Sequence, residues 1–129
     1  ASLGIFTPAE LQGVKRVSAR EAMELAEQGA RLVDVRTEKE YNARHARGAI
    51  SLPYIEKSLK EIDYDAGKDQ FPGLQSLSKG DPLVFFCNGA ECWKSFKASK
   101  AARDAGYTRV YWLRGGMPEW IAQGLPTAP

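Results

Sequence analysis

The chain has 129 residues, 43% hydrophobic and 26% charged, enough for one domain with a real core and no need of covalent staples. Lys and Arg number 18 against 16 Asp and Glu, a net charge of +2 with the basic residues scattered, so no nucleic-acid footprint stands out. No apolar run approaches the roughly 20 residues of a membrane span, and two cysteines with one histidine leave a four-ligand zinc set short.

Residues 1–13 read as an N-terminal extension of a single domain covering 1–129. The chain starts at Ala1 without Met, which with the paired thiols points toward an exported or periplasmic protein, although cytoplasmic redox chemistry fits the same residues. Thr7-Pro8-Ala9-Glu10 carries the marks of a helix start: a hydroxyl, a proline at the first position and a glutamate at the third. Val14–Val17 predicts a short first strand. Ser18-Ala19-Arg20-Glu21 is a capping box that opens an amphipathic helix ending at Gly29, and Thr37-Glu38-Lys39-Glu40 repeats the box.

Four short apolar runs, "RLVDV" from Arg31, "GAISL" from Gly48, "PLVFFC" from Pro82 and "RVYWL" from Arg109, are apolar at consecutive positions, as in strands covered on both faces. Helical patterns follow the first, third and fourth. The alternation predicts an α/β domain with a mostly parallel sheet. Tyr54 to Lys79 reads as two short helical pieces around a loop, with apolar points at Ile55, Leu59, Ile62, Phe71, Leu74 and Leu77. The end, 127–129, reads as a simple tail.

Ligands of open parallel sheets sit beyond the carboxyl ends of the strands. There the sequence places Asp34 and Arg36, then Pro53 and Tyr54, then Cys87, then Arg114, Gly115 and Gly116. Cys87 ends its strand, and the polar turn "NGAEC" leads to a helix near Trp93 or Lys94. A thiol facing the loop N–H groups and the positive end of a helix dipole has its pKa lowered, which suits a thiolate nucleophile. The competing reading is a small buried hydrophobe. Asp34 and Arg36 read as a pair ordering the floor of the loop, because a buried carboxylate needs a partner; Arg36 is also a candidate for drawing anions.

"LVDVRTEKEYNARHARGAISLP" resembles the first signature of rhodanese domains, and "RVYWLRGGMPEWIAQGLP" is similar to their closing signature, with Cys87 between them. The resemblance runs roughly from Val17 to Pro126. It implies a three-layer fold with a central sheet of about five parallel strands, and a sulfurtransferase. In that chemistry Cys87 takes sulfane sulfur from a thiosulfate or persulfide-type donor as a persulfide and passes it to a thiol or other nucleophile. No metal or organic cofactor is implied; the partners expected are a small sulfur donor and a thiol acceptor or acceptor protein, with the chain a monomer. The N–H groups of Asn88, Gly89, Ala90, Glu91, Cys92 and Trp93 are expected to surround the terminal sulfur.

Many family loops carry a cation five residues after the cysteine; here that position is Cys92, and Trp93 stands where phosphatase-like and arsenate-reducing relatives have arginine. Loss of that bidentate partner argues against phosphate or arsenate chemistry. Lys94 replaces some of the charge and Glu91 opposes it, so neutral or thiol-borne persulfides are expected to be better donors than thiosulfate. Cys92 is read as a relay or resolving thiol, a disulfide partner or a plain loop residue. Trp93 is expected to wall the pocket, Gly115 and Gly116 to turn beside it, and His45 to be structural. Two other functions fit the same residues: a thiol–disulfide oxidoreductase using Cys87 and Cys92, and a carrier or binding module without turnover.

Overall fold

The computed structural model describes residues 6–129; Ala1–Ile5 of the expected extension lie outside them. In chain order the elements are β1 (Lys15–Arg16), α1 (Ala19–Glu27), β2 (Arg31–Asp34), α2 (Glu38–Ala43), β3 (His45–Ala46), β4 (Ile50–Ser51), β5 (Leu83–Phe86), α3 (Trp93–Asp104), β6 (Val110–Leu113), α4 (Gly116–Ala122) and β7 (Thr127–Ala128). Both capping boxes form. The Ser18 hydroxyl accepts from the Glu21 N–H at 3.1 Å while Glu21 Oε1 accepts from the Ser18 N–H at 2.8 Å, and Thr37 and Glu40 do the same for α2.

Five strands make one sheet in the order β1-β6-β5-β2-β4, every pair parallel. Asp34 is level with Phe86 and Phe86 with Leu113, so β2, β5 and β6 end at one edge. All four residues of β5 are buried, as a central strand covered on both faces requires. Val84 and Phe86 pack in the core with α1 and α4. Leu83, Phe85 and Cys87 face the other way, against α3 and the segment that follows Tyr54. The two-residue period of the strand thus aims the Cys87 side chain at the α3 layer.

The segment 54–79 contains two 3₁₀ turns, Ala66–Lys68 and Pro72–Ser76, where two helical pieces were expected. Of its six apolar points, Leu74 and Leu77 are buried and Ile55, Leu59 and Ile62 are exposed. Asp69 gathers the segment, accepting from the Tyr54 hydroxyl at 2.7 Å, the Ser58 hydroxyl at 2.6 Å and the N–H groups of Lys57 and Ser58. Burial pushes its pKa up, but these bonds prevail and hold it at about 2.

Two expectations are corrected. Thr7–Glu10 is not helical: the Thr7 side chain is committed to a distant loop instead of capping its own turn. The terminus is not a loose tail, because β7 pairs antiparallel with β3, and the Pro126 carbonyl accepts from Arg47 N–H at 3.0 Å and Trp120 Nε1 at 2.7 Å.

Candidate active site

Cys87 directly follows β5 and is fully buried. Its carbonyl accepts from the Met117 N–H of α4 at 2.9 Å. Gly116, one residue earlier, has φ +56°, and a Cβ there would collide with the Cys87 carbonyl oxygen and come 2.7 Å from the Gly89 nitrogen. The Gly115-Gly116 pair therefore lies beside the cysteine, and Gly116 has to be glycine both for its backbone angle and for its space. The Cys87 Sγ accepts from the Ser95 N–H at 3.2 Å and lies 3.4 Å from the Cys92 carbonyl oxygen. Ser95 is the third residue of α3, where helical N–H groups have no partner inside the helix, so the N-terminus of α3 is spent on this sulfur.

That contact comes from outside the loop N–H groups expected around the outer sulfur of a persulfide. The Cys92 N–H closes a turn on the Gly89 carbonyl at 3.0 Å, and the donor that reaches the sulfur belongs to Ser95, beyond the anticipated stretch. Ser95 is held in turn by Trp112, whose Nε1 donates to its hydroxyl at 2.9 Å.

The loop folds back at Gly89, φ +109°, and returns Cys92 to Cys87, to which it is joined by a disulfide with the Cα atoms 6.3 Å apart. Cys92 is the N-cap residue of α3 and is half-buried. Asn88 is exposed and donates to Glu40 Oε2 at 2.6 Å. Burial raises the Glu40 pKa, but the hydrogen bonds from Asn88 and Thr37 outweigh it and the carboxyl stays below its ordinary value. Glu91 is exposed and Lys94 half-buried.

Trp93 does not wall an opening: it is 3% exposed, in an aromatic cluster with Tyr64, Phe96 and Trp112. Its ring meets Phe96 edge-on at 5.3 Å. The first turn of α3 is driven inward by this packing, which leaves its backbone to face the sulfur.

Asp34 and Arg36 pair as expected, with Arg36 Nη2 2.8 Å from Asp34 Oδ2 and Nε 3.0 Å from Oδ1. The other bond of Nη2 goes to the Arg44 carbonyl at 2.7 Å, so the pair orders the turn before β3, while α2 reaches the loop through Glu40. Arg36 is buried with this guanidinium engaged, which takes it out of contention for drawing anions. Arg44 has φ −170°, extended backbone that demands no glycine, and its Nε meets the Thr127 hydroxyl at 3.3 Å. His45 is structural: its ring stacks on Tyr41 at 3.8 Å and its Nδ1 lies 2.8 Å from the Tyr41 carbonyl.

Besides Ser95, Thr7 belongs to this site although the sequence marks it only as a helix start. The Thr7 N–H and hydroxyl both donate to the Ala90 carbonyl at 2.8 Å, between the two cysteines. Arg114, after β6, donates to the Thr7 hydroxyl at 3.0 Å and to its carbonyl at 2.7 Å. The N-terminal segment is thereby strapped over the loop. Thr7→Val keeps the backbone bond and removes both hydroxyl bonds, so it is expected to cost about 1–2 kcal/mol, read from the denaturant midpoint of matched oxidised proteins.

The family described as "Rhodanese-like domain" matches residues 18–123. Thiosulfate sulfurtransferase 16, chloroplastic, of Arabidopsis thaliana is 33% identical over 112 residues, 86% of this chain and 90% of that protein. An HTH-type transcriptional regulator of Mycobacterium tuberculosis is 37% identical over 95 residues, 74% of this chain; the chain spans 36% of the regulator's length. The crystal structure of an Anabaena sp. protein superposes with a TM-score of 0.65 at 28% identity, covering 87% of this chain and 90% of the other.

Proposed function

Since the chain belongs to the rhodanese-like domain family, we propose that it is a sulfurtransferase carrying sulfane sulfur on Cys87. The observation that carries this reading is the Ser95 N–H of α3 aimed at a sulfur seated at the end of a central strand. In the reduced protein the Cys87 thiolate attacks the outer sulfur of the donor; from thiosulfate, sulfite leaves and Cys87–S–S⁻ remains. A nucleophilic acceptor then takes the outer sulfur and returns the thiolate, a two-step covalent cycle. The helix N-terminus favours the anion at both stages.

The test is donor loading. Phosphine-reduced protein, freed of the phosphine and treated with thiosulfate or a small-molecule persulfide, is expected to gain one sulfur mapped to Cys87 as the first product. A mass unchanged under every donor at the shortest times would refute the reading.

The cations around the loop also bear on the donor. Arg114 is engaged by Thr7 and Arg36 by Asp34, which leaves Lys94, opposed by Glu91, as the basic residue of the loop itself. Loading by a neutral or thiol-borne persulfide is expected to be at least about tenfold faster than by thiosulfate at equal concentration, because the loop has Cys92 in place of a cation and sets Lys94 against Glu91, so it offers a divalent anion little net charge of its own. Equal rates would refute this.

The Cys87–Cys92 bond favours a second reading, a thiol–disulfide oxidoreductase. It predicts reversible exchange with dithiols and no sulfur gained from any donor.

A further inference from the structure

We propose that Cys92 discharges the Cys87 persulfide by attacking its inner sulfur, releasing hydrosulfide and leaving the disulfide seen in the structure. The inference rests on the persulfide reading above and gives it a second product, sulfide, made without an external acceptor.

Placement decides which sulfur is attacked. The inner sulfur of a persulfide on Cys87 is Cys87 Sγ itself, and that is the atom Cys92 reaches: the turn closed by the Cys92 N–H on the Gly89 carbonyl brings residue 92 back over residue 87, within bonding distance. A relay would require Cys92 to meet the outer sulfur instead. The Cys92 side chain makes no capping hydrogen bond to α3, so its sulfur is not committed elsewhere.

The step balances. Cys87–S–S⁻ and the Cys92 thiol give Cys87–S–S–Cys92 and HS⁻: a sulfur–sulfur bond forms between the cysteines, the bond to the outer sulfur breaks, and the thiol proton leaves on hydrosulfide. The outer sulfur is reduced by two electrons and the cysteine pair oxidised by two. Hydrosulfide is a low-pKa leaving group, which favours displacement.

Return to the dithiol needs a thiol reductant, most simply an external dithiol. The disulfide is asymmetric in the right sense for it. Cys92 is the half-buried residue of the two and so the more accessible target, whereas Cys87 is fully buried under the Ser95 N–H, a good seat for the departing thiolate.

The experiment compares wild type with Cys92→Ser, whose serine is a favoured N-cap and keeps α3 intact. Both are reduced with phosphine, freed of it, loaded briefly with excess thiosulfate or cysteine persulfide and desalted; sulfide is trapped as its bimane derivative and each cysteine is mapped. Wild type is expected to release about one sulfide per chain and end two hydrogens lighter than the reduced protein, with Cys87 and Cys92 joined. Cys92→Ser is expected to hold one sulfur on Cys87, shedding sulfide at least about tenfold more slowly until a thiol is added. A wild-type protein that keeps its sulfur on Cys87 as stably as the variant, or carries it on Cys92, overturns the inference and leaves the sulfurtransferase reading standing. A Cys92→Ser protein that takes up no sulfur from either donor overturns both.

Discussion

Cys87→Ser is expected to abolish sulfur uptake and to lower sulfur transfer from any donor to a thiol or cyanide by at least about a thousandfold, some 4 kcal/mol of barrier. The substitution changes one atom in a fully buried position, so packing is preserved and the loss belongs to the chemistry. A serine hydroxyl under the same Ser95 N–H stays protonated at neutral pH, because a helix N-terminus lowers a thiol pKa into the working range but leaves an alcohol far above it. The variant also loses the disulfide to Cys92. Wild type and variant are therefore compared fully reduced, by intact mass after donor treatment and by turnover. Uptake of sulfur by Cys87→Ser would move the nucleophile to Cys92, and the N-terminus of α3 would then lose its assigned role.

The frame around that cysteine was legible because it is local. An uninterrupted apolar run predicts a strand covered on both faces, and the polar turn and helix start behind it locate Cys87 at the end of β5, facing the start of α3. Capping boxes at Ser18 and Thr37 are read within four residues of chain and form as read. Thr7-Pro8-Ala9-Glu10 carries similar local marks and fails. Its hydroxyl and N–H are drawn to the Ala90 carbonyl, 83 positions away, and Arg114 holds it there; no local pattern announces such a pairing. The tail failed for the same reason, since β7 exists only against β3.

The donor to the sulfur lies just past the loop stretch that the sequence singles out. With α3 beginning at Trp93, Ser95 becomes the third helical residue and its N–H is the one aimed at the sulfur. Trp93, read as a pocket wall from its place beside Cys92, was already committed to an aromatic cluster whose partners Tyr64 and Trp112 lie far away in sequence. Nothing local in "WKSFKASKAARD" marks Lys97 for burial, yet it is buried along with Phe96, Ala98 and Ser99.

Glu56→Gln is expected to destabilise the protein by about 3 kcal/mol, out of proportion to a one-atom change. Lys97 is fully buried, with its ammonium 2.8 Å from Glu56 Oε2, 2.8 Å from the Ser58 hydroxyl, 2.8 Å from the Leu59 carbonyl and 4.7 Å from the centre of the Tyr64 ring. Glutamine keeps the shape and an acceptor but leaves a buried cation without its counter-charge, the case in which breaking an ion pair costs most. Lys60, at the other Glu56 oxygen, is more than half exposed and contributes little. Replacing both partners, Glu56→Leu with Lys97→Met, is expected to recover most of the loss, because the desolvation of the charges goes with them; the two single changes and the double form a cycle read from denaturant midpoints. Acid gives an independent reading. Burial raises the Glu56 pKa, but the hydrogen bonds and charges of Lys60 and Lys97 prevail and hold it below the ordinary value. A carboxyl depressed in the folded state contributes stability that is full above its unfolded pKa, about 4.3, and is lost as pH falls through the folded value. The gap between wild type and Glu56→Gln should be constant near neutrality and narrow on acidification below about pH 5. The same pair ties the segment after Tyr54 onto α3, the helix whose first turn holds Cys87, so Glu56→Gln should also speed exchange of the Lys57 and Ser58 amides, which donate to Asp69, before the sheet is affected. A gap that stays open in acid would show that the loss on substitution does not come from the carboxylate charge.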